Sequence, residues 1–115
     1  MAELPIMPLK TDALISDTCH MSAEEFGVYC RILCAMWRYG ARLPDSPDEL
    51  ARIGGVTLSR WKAMAERVLR PMSVGGGFIM QKRMTTTWMD VQALREKRAK
   101  AANKRWGKNG FSGNA

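Results

Sequence analysis

Apolar residues recur along this chain at the spacing of an amphipathic helix, most clearly between Ser22 and Gly40. Ser22 and Glu25 have the pattern of a capping box, in which each side chain bonds the backbone N–H of the other residue. Because Gly40 favours the left-handed conformation that ends a helix, the pattern predicts a helix over residues 22–39. One stripe of this helix carries its apolar side chains, which are Phe26, Tyr29, Cys30, Leu33, Met36 and Trp37.

Two shorter helices joined by a tight turn are predicted over residues 46–70. Ser46 caps the first helix and Glu49 completes a capping box. Gly54 and Gly55 end that helix, and Thr57 caps the second one. The apolar positions of the second helix are Leu58, Trp61, Met64, Ala65, Val68 and Leu69. Both an ordinary helical hairpin with a solvated basic face and a helix-turn-helix fit this segment.

A β-hairpin is predicted directly after the second of these helices. Its strands cover residues 72–74 and 78–81, and the three glycines at 75–77 form its turn. Lys82 and Arg83 are expected at the end of the second strand, where a wing can touch a phosphate backbone. Three helices followed by a hairpin predict a mainly α fold with a small β-hairpin, namely a winged helix-turn-helix.

The segments around these elements are less regular. Residues 1–11 are expected to be extended because of their prolines, residues 12–17 to form a helical turn, and residues 41–45 to form a connector. Gly27 interrupts the interior of the first helix, at a cost of about 1 kcal/mol relative to alanine. We therefore expect another element to pack closely against Gly27.

The chain is predicted to divide into a domain and a tail. From about Thr85 it is helical again, and beyond Leu94 apolar residues thin out. We therefore assign residues 1–94 to a winged-helix-like domain and residues 95–115 to a basic tail. Up to Trp106 the tail is expected to be a helix that is frayed in isolation and orders on a polyanion or a partner, and after Trp106 it is expected to be disordered.

Positive charge accumulates toward the second half of the chain. The 115 residues contain 18 Lys and Arg against 11 Asp and Glu, for a net charge of +7. Net charge is −3 over residues 1–59, +4 over residues 60–94 and +6 over residues 95–115. This distribution is expected if one end of the molecule faces a polyanion, and a solvated basic tail that aids solubility is the alternative.

Composition also indicates in which cellular compartment the protein is expected. No apolar run reaches the roughly 18 residues of a membrane span, so no membrane association is expected. The first residues lack the pattern of a secretion signal. Three cysteines, an odd number, argue against a disulfide framework and favour a reducing cytoplasm.

Candidate metal and catalytic groups are few. Cys30 and Cys34 lie one helical turn apart and, with Cys19 and His20, would make four zinc ligands. The spacing lacks a C-x2-C knuckle, so small buried cysteines explain the pattern better, and His20 is expected to cap or pack near the first helix. The glycines at 75–77 lack the phosphate-loop pattern. We therefore predict no metal, no cofactor and no catalytic site, and a chain that is not an enzyme.

Residues 12–18 and 20–29, reading DALISDT and HMSAEEFGVY, resemble the opening signature of the YdaU family of phage and prophage proteins. The likeness extends over roughly residues 7–95 and includes Met36-Trp37-Arg38, Leu43-Pro44-Asp45, Leu50-Ala51-Arg52-Ile53, Trp61 and Gln81-Lys82-Arg83. It implies a winged-helix-like fold, a phage-replication context in the cytoplasm of a bacterial host, and a neighbouring helicase-loader gene. The family is a domain of unknown function, so no catalytic or ligand residue carries over.

These observations favour a non-enzymatic DNA-binding module that acts in replication initiation or its control. Its second short helix would enter the major groove of duplex DNA, and the tail would neutralise phosphates. The candidate contact residues are Arg60, Lys62, Arg67, Arg70, Lys82, Arg83, Lys97, Arg98, Lys100, Lys104 and Arg105. One alternative is an adaptor that docks a helicase, a helicase loader or another replisome component. Another is a transcription regulator, which needs paired half-sites, and the sequence leaves the oligomeric state open.

Overall fold

The computed structural model describes residues 6–109, and over that range the chain forms five helices and three short strands. The helices are α1 (Thr11–Thr18), α2 (Ala23–Arg38), α3 (Pro47–Gly54), α4 (Leu58–Leu69) and α5 (Lys82–Asn109). The strands are β1 (Arg42–Pro44), β2 (Ser73–Gly75) and β3 (Phe78–Met80). The prediction of a mainly helical fold with a small hairpin is confirmed. None of the helices in this range is long and apolar enough to cross a membrane.

Local side-chain bonds fix where the helices begin. The predicted capping box opens α2, because the Ser22 hydroxyl accepts from the Glu25 N–H at 3.2 Å and Glu25 Oε1 accepts from the Ser22 N–H at 2.8 Å. Ser46 and Thr57 cap α3 and α4 with their hydroxyls, as predicted. Gly55 ends α3 with φ of 77°, the left-handed conformation that glycine adopts most readily.

The three strands form one antiparallel sheet in the order β1-β3-β2. β2 and β3 are the arms of the predicted hairpin, and Val74 lies opposite Ile79. On the other side of β3, Leu43 of β1 lies opposite the same isoleucine. The prediction that residues 41–45 form only a connector is therefore wrong. Three residues are too few to show the alternation of a strand, so β1 exists because of a distant partner.

The core is built around α2. Tyr29 and Met36 of this helix are fully enclosed, in one apolar cluster with Trp61 of α4 and Ile79 of β3. The Tyr29 hydroxyl accepts a hydrogen bond from Gln81 Nε2 at 2.8 Å, and burial raises the pKa of Tyr29 to about 12. This bond ties the central helix to the segment that joins β3 to α5.

Two glycines differ in how closely other elements approach them. A Cβ placed on Gly54, the last residue of α3, would lie 2.8 Å from Cγ1 of Val28 in α2, so this contact requires glycine. A Cβ placed on Gly27 would have nothing within 4 Å. The expectation that another element packs against Gly27 is therefore wrong.

α5 begins three residues earlier than predicted. The Gln81 carbonyl accepts from the Thr85 N–H at 2.9 Å and from the Thr85 hydroxyl at 3.2 Å, so the helix starts at Lys82. The prediction that Lys82 and Arg83 end a strand is wrong, because β3 stops at Met80 and the polar side chain of Gln81 is held by Tyr29.

α5 also crosses the predicted boundary between domain and tail without a break. It continues past residue 94 and includes residues 107–109, which the composition predicts to be disordered. Residues 110–115 of that predicted disordered end lie outside the described residues. With 28 residues the helix is about 42 Å long. It accounts for the elongated shape of the molecule, which measures 64 × 29 × 23 Å.

Candidate nucleic-acid interface

One side of α4 packs against the core, and the opposite side, which carries both acidic and basic residues, faces solvent. Its buried residues Trp61, Met64 and Val68 follow helical spacing. The residues on the opposite side are all exposed, and they are Ser59, Lys62, Ala63, Glu66 and Arg70. The solvent face of α4 is therefore less uniformly basic than the sequence pattern predicts.

Arg60 and Arg67 lie on the flank of α4 that borders α2, and each meets a carboxylate there. Arg60 Nε donates to Glu24 Oε2 at 3.0 Å, and a second guanidinium nitrogen donates to Glu24 Oε1. Arg67 Nε donates to both carboxylate oxygens of Glu25, at 3.0 and 3.1 Å. The hydrogen bond from Arg60 lowers the pKa of Glu24. The Ser22 backbone N–H, and after it Arg67, lower the pKa of Glu25.

The two remaining cations of α4 differ in their surroundings. Arg70 donates to the Glu66 carboxylate at 3.1 and 2.9 Å, and these bonds lower the pKa of Glu66 and raise that of Arg70. Lys62 is exposed and forms no ion pair with any residue in the described range. Arg60, Arg67 and Arg70, the last of which directly follows α4, thus each have a carboxylate partner, and Lys62 is the cation of α4 without one.

Lys82 and Arg83 lie in the first turn of α5, at the open end of the hairpin rather than at its glycine turn. Arg83 forms an ion pair with Asp17 of α1. A different cation stands on the sheet itself, where the Arg42 guanidinium lies 4.3 Å from the centroid of the Phe78 ring. Arg42 could not be predicted as a candidate from the sequence, because its aromatic partner belongs to a distant strand.

The five predicted cations of the tail project from the second half of α5. Three lysines share one side of the helix and two arginines share another, because their spacings are three, four and seven residues. The exposed set is Lys97, Lys100 and Lys104 on the first side, with Arg98 and Arg105 on the second. Glu96 is the single acidic residue between positions 95 and 106. α5 therefore carries the densest positive charge among the described residues.

The cysteines and His20 do not form a ligand cluster. Within residues 6–109, no group of three or more His, Cys, Asp or Glu side chains could hold a metal ion. Cys19 and Cys34 are exposed, so the expectation of small buried cysteines fails for them, whereas Cys30 is half-buried and burial raises the pKa of its thiol. His20 Nε2 lies 2.7 Å from the Arg67 carbonyl oxygen and so packs the start of α2 against α4.

A groove of about 660 Å³, which sequence reasoning missed, lies between α1 and the first half of α5. Residues 7–10 and α1 line one wall, α5 from Lys82 to Val91 lines the other, and Leu33 and Trp37 of α2 lie between them. Its two walls come from segments more than 60 positions apart in the sequence, so no local pattern could indicate it.

Comparisons with known proteins agree with the resemblance noted in the sequence. The profile of a family described as "Protein of unknown function (DUF1376)" matches residues 5–87. The uncharacterized protein YdaU of Escherichia coli (strain K12) is 39% identical over 61 residues, which are 53% of this chain and 21% of that protein. No solved structure matches the chain. The family match covers α1 to β3 and the start of α5, and the chain belongs to this DUF1376 family of proteins of unknown function.

Proposed function

We propose that this chain is a DNA-binding module built on a winged helix-turn-helix. The elements α2, β1, α3, α4, β2 and β3 follow one another in the order of that motif, and the β2–β3 hairpin takes the place of its wing. Many functions share one fold, so element order alone does not select DNA binding. The charge of the surface has to support that choice.

The observation that carries the proposal is the exposed half of α5. Between residues 95 and 105 it contains six basic residues and one acidic residue, on a helix that projects from the domain. Cations at this density neutralise phosphates and release condensed counterions, which supplies affinity for nucleic acid. Duplex DNA is the ligand that also suits the α3–α4 pair, because an exposed helix can enter the major groove.

α4 contributes to this proposal through its solvent face rather than its flank. Lys62 projects from that face without a carboxylate partner and can contact phosphates or base edges, whereas Arg70 can do so only after it leaves Glu66 of the same helix. Arg60 and Arg67 would first have to leave their carboxylate partners on α2. We therefore expect these two arginines to add less affinity than the tail does.

Fluorescence anisotropy with a labelled duplex at low salt tests this division of roles. The tail variant has its five exposed tail cations changed to glutamine. The α4 variant has Lys62 and Arg70 changed to glutamine. The tail variant should lose about 100-fold or more in affinity, and the α4 variant should lose less. Lys10→Gln removes one exposed cation elsewhere and should stay within about twofold of the native chain. A native chain that does not bind, or a tail variant that binds as tightly as the native chain, contradicts the proposal.

We also propose that the module acts in initiation or control of phage DNA replication. The resemblance to the YdaU family of phage and prophage proteins supports this context. Origin DNA from the encoding genome should then compete for the module better than coding DNA of equal length. Equal competition by both fragments contradicts a role at the origin.

A second candidate function is an adaptor that docks a helicase, a helicase loader or another replisome protein. The groove beside α5 favours it, because the exposed apolar residues Ile6 and Leu9 lie at or next to its wall. Thr87→Arg places a bulky charge in that wall and should abolish binding of a purified loader, measured by calorimetry. Loader binding that survives this substitution contradicts the adaptor, and DNA binding serves as the control for folding.

A further inference from the structure

We propose that the exposed half of α5 binds single-stranded nucleic acid and that Trp106 stacks on one of its bases. The inference rests on the proposed function, because it uses the same basic helix. It adds a class of ligand and a contact residue that charge alone does not specify.

Trp106 is a large apolar side chain at a position where burial does not account for it. Its side chain is 64% exposed. One turn before it lie Ala102 and Asn103, and a helical side chain leans over the preceding turn, so these small residues leave a face of the indole ring accessible. Trp88 occupies the same side of α5 five turns earlier and packs on the domain, 3.8 Å from a Cβ placed at Gly40.

The charges around Trp106 suit a flexible polyanion. Lys104 and Arg105 directly precede it, on different sides of the helix, and both are exposed. From Lys97 to Trp106 the helix rises about 14 Å, so cations and the indole lie within reach of one short strand. A single strand can bend so that its phosphates contact these cations while one of its bases reaches the indole ring, whereas the bases of a stiff duplex remain stacked inside it.

Stacking on the indole ring should favour single strands over duplexes, because it needs a base whose face is accessible. Every base has a π-face on which an aromatic side chain can stack, and this stacking depends little on sequence. In a duplex both faces of each base are covered by neighbouring base pairs, and uncovering them costs free energy. Loss of one stacked base corresponds to about 5- to 150-fold in affinity.

The test uses the full chain, a labelled oligo(dT) and a duplex of the same length. Trp106→Leu should weaken oligo(dT) binding by about 5- to 150-fold and change duplex binding by less than about twofold. Trp106→Phe keeps an aromatic face and should recover most of the lost affinity. The salt dependence of Trp106→Leu should match that of the native chain, because no charge is removed.

Met89→Ala provides the matched control, because Met89 is a 62% exposed apolar residue on the same helix outside the basic half. It should bind oligo(dT) as the native chain does. Unchanged oligo(dT) binding by Trp106→Leu overturns the inference and leaves DNA binding in place. An equal loss for oligo(dT) and duplex overturns it as well. A native chain that binds neither ligand overturns the proposed function together with this inference.

Discussion

Gly27 and Gly54 are glycines on neighbouring helices, yet Gly27 has open space beside it and Gly54 has a close neighbour. Because glycine lowers stability in a helix interior, the sequence predicts that another element packs closely against Gly27. The structure places the close neighbour at Gly54 instead, where Val28 of α2 approaches. From the sequence, a glycine shows only that a side chain is absent. Whether another element occupies the space depends on residues far along the chain.

Alanine substitutions at these two glycines should change stability in opposite directions. Gly27→Ala should raise the free energy of unfolding by about 0.5–1 kcal/mol, because it improves helix propensity in open space. Gly54→Ala should lower it by about 1–3 kcal/mol, because the new Cβ meets the stiff, β-branched side chain of Val28. Urea denaturation of both variants measures the difference, and shifts in the same direction contradict the described packing.

Helix starts are predictable from the sequence, because the capping bonds join residues that are close along the chain. Features that depend on residues far along the chain are not predictable in this way. Ser22 and Thr57 cap their helices with bonds to residues three positions away, so the sequence contains the whole signal. β1 needs β3 as its partner, and Gln81, which precedes α5, is held by a hydrogen bond to the distant Tyr29. The predicted interface has the same limit. Its cations are readable from the sequence, but their carboxylate partners on α2 are not.

The hydrogen bonds that the Glu25 carboxylate accepts from the Ser22 backbone N–H and from Arg67 of α4 should make stability depend on pH. The folded chain holds the pKa of Glu25 below its ordinary value of 4.5, and the carboxylate side chain is only 14% exposed. A lowered pKa adds stability above the unfolded value, and this stability is lost as pH falls through the folded value. Glu25→Gln should therefore cost about 1 kcal/mol at neutral pH and less as the solution is acidified below 4.5.

Denaturation of the native chain and Glu25→Gln on both sides of that pKa measures this effect. Glutamine at this position can still complete the capping box with Ser22, so the substitution removes the charge and keeps the cap. Glu49→Gln is the comparison: Arg52 also lowers the pKa of Glu49, but this pair is exposed and lies within one helix, so the change with pH should be smaller. A difference between native chain and Glu25→Gln that does not change with pH contradicts a role for the ionised carboxylate.

At the scale of the whole molecule, folding redistributes the charge that the sequence shows. The acidic first half of the chain supplies Glu24 and Glu25 to the flank of α4, and Asp17 to Arg83. The positive charge over residues 60–94 is therefore largely paired with negative charge from earlier in the chain. The exposed half of α5 retains its excess, so it dominates the electrostatic character of the protein.

We propose that α5 supplies the phosphate contacts, and the salt dependence of duplex binding measures how many contacts it makes. Each neutralised phosphate contributes about −0.9 to the slope of log K against log salt concentration. Changing Lys97, Arg98, Lys100, Lys104 and Arg105 to glutamine should make the slope shallower by about 4 to 5 and remove most of the affinity. A variant that keeps the native slope and the native affinity would contradict the account, because the phosphate contacts would then lie elsewhere on the molecule.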